Sequence, residues 1–144
     1  MITEATFTQA KDAAELALLL WPDNKLDEFI TNMENNIQEE NSVVFLAYSK
    51  TQAIGFAQCQ LRFDYVEGTD SNPVGYLEGL YVRDEFRGQH IAKNLVQACE
   101  KWAISKGCSE FASDCELSNE QSLYVHLKLG FEEANRIICF IKKL

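Results

Sequence analysis

Apolar residues recur at helical spacing in two adjacent segments near the start of the chain. Ala10–Leu20 is amphipathic and stops at Trp21-Pro22, because proline disfavours helix at the residue before it. Asp23 or Asn24 can cap a second helix running to about Glu40, with Leu26, Phe29, Ile30, Met33 and Ile37 in one stripe. A short strand, Ile2–Phe7, precedes both. Beyond residue 42 the pattern becomes strand-like: Val43–Tyr48 and Ala53–Phe63 flank a polar turn, Asp64–Pro73 is loop by composition, and Gly75–Val82 is a third long strand. Helical spacing returns over Gly88–Lys106, where Ile91, Leu95, Cys99 and Trp102 share a face and Gly107 closes the helix. Glu110–Asp114 reads as strand, Ser118–Leu129 as a helix ended by Gly130, and Phe131–Leu144 as one or two terminal strands. The order β-αα-βββ-α-β-α-β(β) departs from a doubly wound alternation. It requires a mixed, twisted sheet with helices on both faces, an α/β (α+β) fold. With no repeat, low-complexity tract or linker, 1–144 reads as a single domain.

Composition narrows the partners. Thirteen Lys and Arg against 22 Asp and Glu leave a net charge of −9, which argues against a nucleic-acid backbone and against an anionic membrane surface. No run is long and apolar enough to predict a membrane span. The excess acid lies in the N-terminal half, a pattern suited either to a cationic partner or simply to solubility. The five cysteines, Cys59, Cys99, Cys108, Cys115 and Cys139, form no C-x-x-C pair, and each lies in an apolar stretch. They read as small buried hydrophobes in a reduced, cytoplasmic protein. Two isolated histidines, His90 and His126, give no metal-ligand spacing, so no metal is expected.

The chemistry concentrates after residue 75. Strand Gly75–Val82, a turn, and Arg87-Gly88-Gln89-His90-Ile91-Ala92 opening a long helix would present free backbone N–H groups and the positive end of a helix dipole to a phosphate or pyrophosphate. Glu78 stands in an otherwise apolar strand, where an unpaired charge is costly unless it has a role or a partner. Asp114 ends the next strand, as a strand-end residue or as a second carboxylate facing Glu78. Acids at Asp64, Glu67, Asp70 and Glu116 either solvate the surface or extend an acidic cleft, and Arg83 and Lys93 sit either on open surface or near phosphates.

Arg87, Ala92 and the helix placement resemble the acetyl-CoA motif of the GCN5-related N-acetyltransferases, with His90 where a glycine is usual. Asn119, Ser122, Gly130 and Phe131 match that family's second landmark, with His126 in the usual tyrosine slot. The resemblance spans nearly the whole chain. A narrower likeness, to the aminoglycoside 6′-N-acetyltransferases, is carried by Arg62 to Thr69, Pro73 to Val82, Glu110 to Asp114, and Trp21-Pro22; a histidine at the position of His126 also occurs there. That resemblance implies acetyl-CoA as co-substrate and a polycationic aminoglycoside as acceptor. It further implies that Trp21, Tyr65, Glu78 and Asp114 line the drug pocket and that Leu80, Tyr81 and Val82 run beside the pantetheine arm. Arg87, Gly88, Gln89, His90, Ile91, Ala92 and Asn119 would meet the cofactor, Asn119 being equally suited to cap a helix.

Alkyl amines are mostly protonated at neutral pH, so acetyl transfer needs a base; Glu78 is the expected acceptor, directly or through water. Asp114 is the second expected catalytic carboxylate, and His126 either protonates the leaving thiolate or packs the pocket wall. Acetylation of a polyamine or protein amine, and a non-catalytic acyl-CoA sensor, remain alternative readings. The apolar run Ile137–Leu144 offers an unpaired edge, which predicts a homodimer through the C-terminal strands.

Overall fold

The computed structural model describes residues 1–144. Strands β1 (Ile2–Glu4), β2 (Ser42–Ser49), β3 (Gln52–Arg62), β4 (Val74–Val82) and β5 (Phe111–Ala112) form one sheet in sequence order. Neighbours pair antiparallel except β4 and β5, which run parallel. Helices α1 (Ala10–Leu20) and α2 (Leu26–Gln38) cover one face, and α3 (Ile91–Ser105) covers the other; α4 (Glu120–Lys128) follows β5. The expected mixed sheet between helical layers is what forms.

Alternation along the strands divides the core in two. Leu16, Met33, Val44, Leu46 and Phe56 pack with the alanines of α1 on one face. Val43, Ala57, Cys59, Leu77, Leu95, Val96 and Cys99 pack beneath α3 on the other. Fully burying a side chain such as Phe56 or Leu95 stabilises the fold by about 1.5–3 kcal/mol each.

Element boundaries differ from the sequence reading where side chains compete for backbone groups. The first strand stops at Glu4, because Gln9 accepts a hydrogen bond from the Thr6 N–H and draws Phe7–Gln9 into a 3-10 turn. Neither Asp23 nor Asn24 caps α2. Lys25 occupies that position, while the Asn24 amide donates to the Trp21 carbonyl and closes the end of α1 instead. The helix expected from Gly88 begins at Ile91, since Gly88 (φ 78°) and His90 (φ 63°) are both left-handed. Strand β5 is two residues long rather than five.

The largest departure is the C-terminal segment. Beyond Phe131 no backbone group bonds to another, and Ile137, Ile138, Phe140 and Ile141 are exposed. The expected terminal strands are absent because a strand needs a neighbour along its length, and β5 offers only two residues of edge. Cys139 is exposed with this segment and Cys115 half-exposed, whereas Cys59, Cys99 and Cys108 are buried thiols as expected.

One cross-link between layers titrates. The Tyr48 hydroxyl donates to Asp12 at 2.5 Å, joining β2 to α1, and burial followed by that bond pushes its pKa up to about 12 from an ordinary 10.0. Below pH 10 both the folded and unfolded phenol keep the proton and the contribution to stability is complete. Between pH 10 and 12 the unfolded chain loses its proton first, so stability falls. Tyr48→Phe is therefore expected to lose stability less steeply than wild type over pH 10–12 in urea unfolding; equal slopes would show that this phenol is not held.

Candidate active site

Strand β4 carries an irregularity at the centre of the sheet. Gln58 of β3 pairs with Gly79 and Cys59 pairs with Leu77, so Glu78 is the extra residue of a β-bulge. The bulge turns Glu78 and Gly79 to the α1–α2 face, together with Tyr76 and Tyr81, while Leu77, Leu80 and Val82 face α3. Beyond Tyr76, β4 keeps its pairing with β3 but loses β5. The two parallel strands diverge there and open a gap flanked by Glu78 on one side and Ser113 and Asp114 on the other.

Glu78 has a partner that the sequence reading did not assign. Arg62, at the end of β3, donates from Nε and Nη2 to Oε1 at 3.1 and 2.9 Å and from Nη2 to Oε2 at 3.1 Å. The same guanidinium lies flat over the Tyr76 ring, 3.4 Å from its centroid. The Tyr76 hydroxyl donates to Asp114 Oδ2. Burial and then the Asp114 bond hold the Tyr76 proton well above the usual phenol range, so Tyr76 remains a donor to Asp114 at working pH. The two carboxylates predicted to act together are thus brought together, with Arg62 and Tyr76 between them.

Trp21 closes α1 with its ring edge against Phe29 and Phe56 and its tip over Gly79. It is 37% exposed, packed on the rim of the core and part of the wall beside Glu78. Tyr65 lies in the loop 63–73 and is 76% exposed, free to meet a ligand but held by no recorded side-chain bond. That loop is anchored to β5: the Ser71 hydroxyl and the Asp70 N–H donate to Glu110, holding its carboxyl below the usual range. Glu67 accepts from the Asn135 amide.

Across the gap, His126 has both ring nitrogens engaged. Nδ1 lies 2.7 Å from the Ser122 carbonyl, which can only accept, so Nδ1 carries the proton; Nε2 then accepts from the Ser113 hydroxyl at 2.7 Å. Neither nitrogen is free to reach a ligand directly. Asn119 caps α4, its Oδ1 accepting from the Ser122 N–H at 3.1 Å.

The N-terminus of α3 has the character of an anion cradle. The N–H groups of Gly88, Gln89 and His90 are donated to no carbonyl or side chain, and the first helical turn adds further free donors. A Cβ on Gly88 would meet nothing within 4 Å, so the approach is open. His90 adopts the left-handed conformation a glycine would take and so preserves the loop. The Arg87 side chain is held locally, by the Val82 carbonyl (2.9 Å) and Asp84 (3.0 Å), and Arg83 donates to the Ala53 carbonyl. Gln89 and Ile91 line a cavity of about 370 Å³ on the β1–β2 side together with Met1, Tyr48, Phe86 and Asn94. The backbone N–H groups of both residues remain available to a phosphate. Leu80, Tyr81 and Val82 form the unpaired edge of β4 leading from this cradle to Glu78.

A model of the acetyltransferase (GNAT) family matches residues 10–131. The chain belongs to the GNAT acetyltransferases. Among its GNAT relatives are proteins named aminoglycoside N(6′)-acetyltransferase type 1. The one from Salmonella typhimurium is 42% identical over 124 residues, covering 86% of each chain. The one from Acinetobacter haemolyticus is 38% identical over 143 residues, covering 99% of this chain and 98% of its own. A solved structure, AAC(6′)-Iy in complex with a bisubstrate analogue, CoA-S-monomethyl-acetylneamine, superposes with a TM-score of 0.95 at 38% identity, covering 100% of this chain and 98% of that one.

Sequence reasoning missed Arg62, Tyr76 and Ser113 as members of this GNAT site. Arg62 and Tyr76 lie on one face of adjacent strands, which pairing register alone reveals, and Ser113 is a small polar residue with no motif. The seat of Trp21 is directly testable. A methyl group at position 79 would lie 2.7 Å from Trp21 Cη2 and 3.4 Å from Phe56. Gly79→Ala in a Trp102→Phe background is expected to shift the Trp21 emission and to cost about 1–3 kcal/mol of stability; unchanged emission would show that the indole does not rest on β4.

Proposed function

We propose that this protein transfers the acetyl group of acetyl-CoA to the 6′ amine of an aminoglycoside antibiotic. The observation that carries the reading is the pairing of two carboxylates, Glu78 and Asp114, at the mouth of a strand gap that leads to an anion cradle. The curated relatives named for the same activity support it over nearly the whole chain. The residues fit acetyl-CoA: the free N–H groups at Gly88–His90 and the start of α3 suit a pyrophosphate, and the unpaired edge Leu80–Val82 offers N–H and carbonyl groups to an extended amide chain. When bound, acetyl-CoA supplies the activated acyl group.

The chain's own residues supply recognition and proton transfer. Glu78 and Asp114 attract ammonium groups, while Trp21 and Tyr65 offer apolar surface to the sugar rings. Glu78 Oε1 already accepts two hydrogen bonds from Arg62 and Oε2 only one, so Oε2 is the atom assigned to take the amine proton, directly or through water. Asp114 Oδ2 is held by Tyr76, leaving Oδ1 to a second ammonium. With Nε2 accepting from the Ser113 hydroxyl and Nδ1 donating to the Ser122 carbonyl, His126 holds Ser113 at the edge of the gap and has no proton directed into it. Buried free thiols at Cys59, Cys99 and Cys108 fit a reducing cytoplasm, and no helix is long and apolar enough to cross a membrane.

Neomycin and paromomycin differ only in carrying an amine or a hydroxyl at the 6′ position, so the pair tests the acceptor. Thiol release from acetyl-CoA is expected with neomycin and not with paromomycin, and faster than with spermine or a lysine peptide; preference for spermine or the peptide would reassign the substrate, and binding of coenzyme without any turnover would make the protein a sensor. Glu78→Gln is expected to lower kcat/KM for neomycin by about 10²-fold with acetyl-CoA affinity within twofold. Wild-type turnover in that variant would assign the proton to another acceptor.

We also propose that two copies pair through their C-terminal segments. Each carries, from Glu132 onward, backbone groups with no backbone partner and exposed Ile137, Ile138, Phe140 and Ile141, and a second copy would satisfy both. Light scattering at tens of micromolar should give a dimer mass that Ile138→Lys with Ile141→Lys reduces to that of one chain. A monomeric wild type would overturn this assembly.

A further inference from the structure

Arg62 is an unexpected residue in a site that must attract a polycation. It brings a positive charge to the acceptor side of the gap, and bonds to both oxygens of the residue assigned as the base. If attraction were the only requirement, the site would be stronger without it.

Three features of its geometry indicate a different role. The fork is bidentate, which fixes the rotation of the Glu78 carboxylate as well as its position. It leaves the two oxygens unequal, with Oε2 the less bonded. The guanidinium is itself clamped flat on the Tyr76 ring, and the hydroxyl of that ring holds Asp114. One side chain from β3 therefore spans Glu78 and Tyr76 on β4 and, through Tyr76, Asp114 beyond β5. The Arg62 and Glu78 side chains are 37% and 21% exposed, so the pair is shielded enough to be ordered yet open to a ligand. Without the fork, Glu78 would sit on a bulge with no other recorded side-chain partner.

We infer that Arg62 is the positioning residue for acetyl transfer, holding Glu78 and Asp114 as one rigid acceptor unit with Glu78 Oε2 turned to the substrate amine. The inference rests on Glu78 being the proton acceptor and adds that its orientation is imposed by β3. It also explains why attraction is given up at this point: a carboxylate free to rotate would bind an ammonium in several poses, of which few direct the nitrogen at the acyl carbon. Misplacement by about 1 Å can cost 10²-fold in rate.

Position and charge can be separated by two substitutions. Arg62→Met removes both the charge and the fork, whereas Arg62→Lys keeps the charge but cannot make the two-pronged contact or lie flat on Tyr76. The quantities to measure are kcat and KM for neomycin, with active-site concentration set by calorimetric titration with coenzyme A so that a poorly folded fraction is not counted. Both variants are expected to lose kcat by about tenfold or more. The neomycin KM should stay near wild type in Arg62→Lys and fall by about two- to fivefold in Arg62→Met, where the site gains one net negative charge. Arg62→Met added to Glu78→Gln should lower kcat by clearly less than the product of the two single losses, because the larger share of the Arg62 effect acts through Glu78.

A wild-type kcat in Arg62→Met, restoration of kcat by Arg62→Lys, or independent and multiplying effects of the two substitutions would each overturn the positioning role while leaving Glu78 as the base. Full activity in Glu78→Gln alone would instead overturn the reading on which the inference rests, and the positioning role with it.

Discussion

The active site depends on how β4 divides its two edges. Against β3 it is paired along nearly its whole length, and against β5 for only two residues, Gly75 and Tyr76. A strand with one satisfied and one open edge would ordinarily be an aggregation hazard. Here the open edge lies inside the fold, flanked by α3 and by the segment after β5, and it forms the wall of a cleft. The bulge at Glu78 lies where the open edge begins. It turns a carboxylate out of register onto the α1–α2 face, so the same local irregularity both aims that side chain and accompanies the parting of the strands.

Around that point, opposite charges are arranged to orient rather than merely to attract. The protein carries a net charge of −9, and an acidic surface draws polycations from a distance of about one Debye length, ~8 Å at physiological salt. Closer in, Glu78 is already bonded to Arg62 and Asp114 to Tyr76. Each carboxylate thus retains one less-occupied oxygen. Shielded ion pairs of this kind contribute less to stability than their contact distances suggest, because desolvation offsets much of the Coulomb energy; conformational definition is the more consistent return.

At the opposite end of the gap, the free donors are backbone groups rather than side chains. Gly88 and His90 take left-handed conformations, and a histidine there costs on the order of 1–2 kcal/mol relative to glycine. The result is a run of N–H groups with no internal acceptor. Arg87, the basic residue of this loop, bonds instead to the Val82 carbonyl and Asp84 and so braces the loop against the end of β4. A pyrophosphate held by N–H groups needs no basic patch, which is how an acidic chain accommodates an anionic co-substrate.

The pattern of apolar positions was sufficient to determine helices α1 to α4, the three long strands and the mixed sheet, because each rests on a local period facing a core. Motif spacing likewise pointed to the α3 cradle and singled out Glu78, since an acid in an apolar strand and a strand–turn–helix junction are visible within a few residues; Asp114 and Trp21 entered through the resemblance to the aminoglycoside 6′-N-acetyltransferases. Tertiary structure alone decided what those groups touch. Whether Glu78 stands alone or paired depends on the register between β3 and β4, and a single bulge sets it; the sequence contains Arg62 and Tyr76 but not the alignment that stacks them. The helix caps at Thr6, Asn24 and Asn119 were settled by competition among nearby polar side chains for backbone groups. The C-terminal run shows the limit most plainly: its composition favours a strand, but a strand is a relation between two segments, and this chain by itself provides no second edge for it.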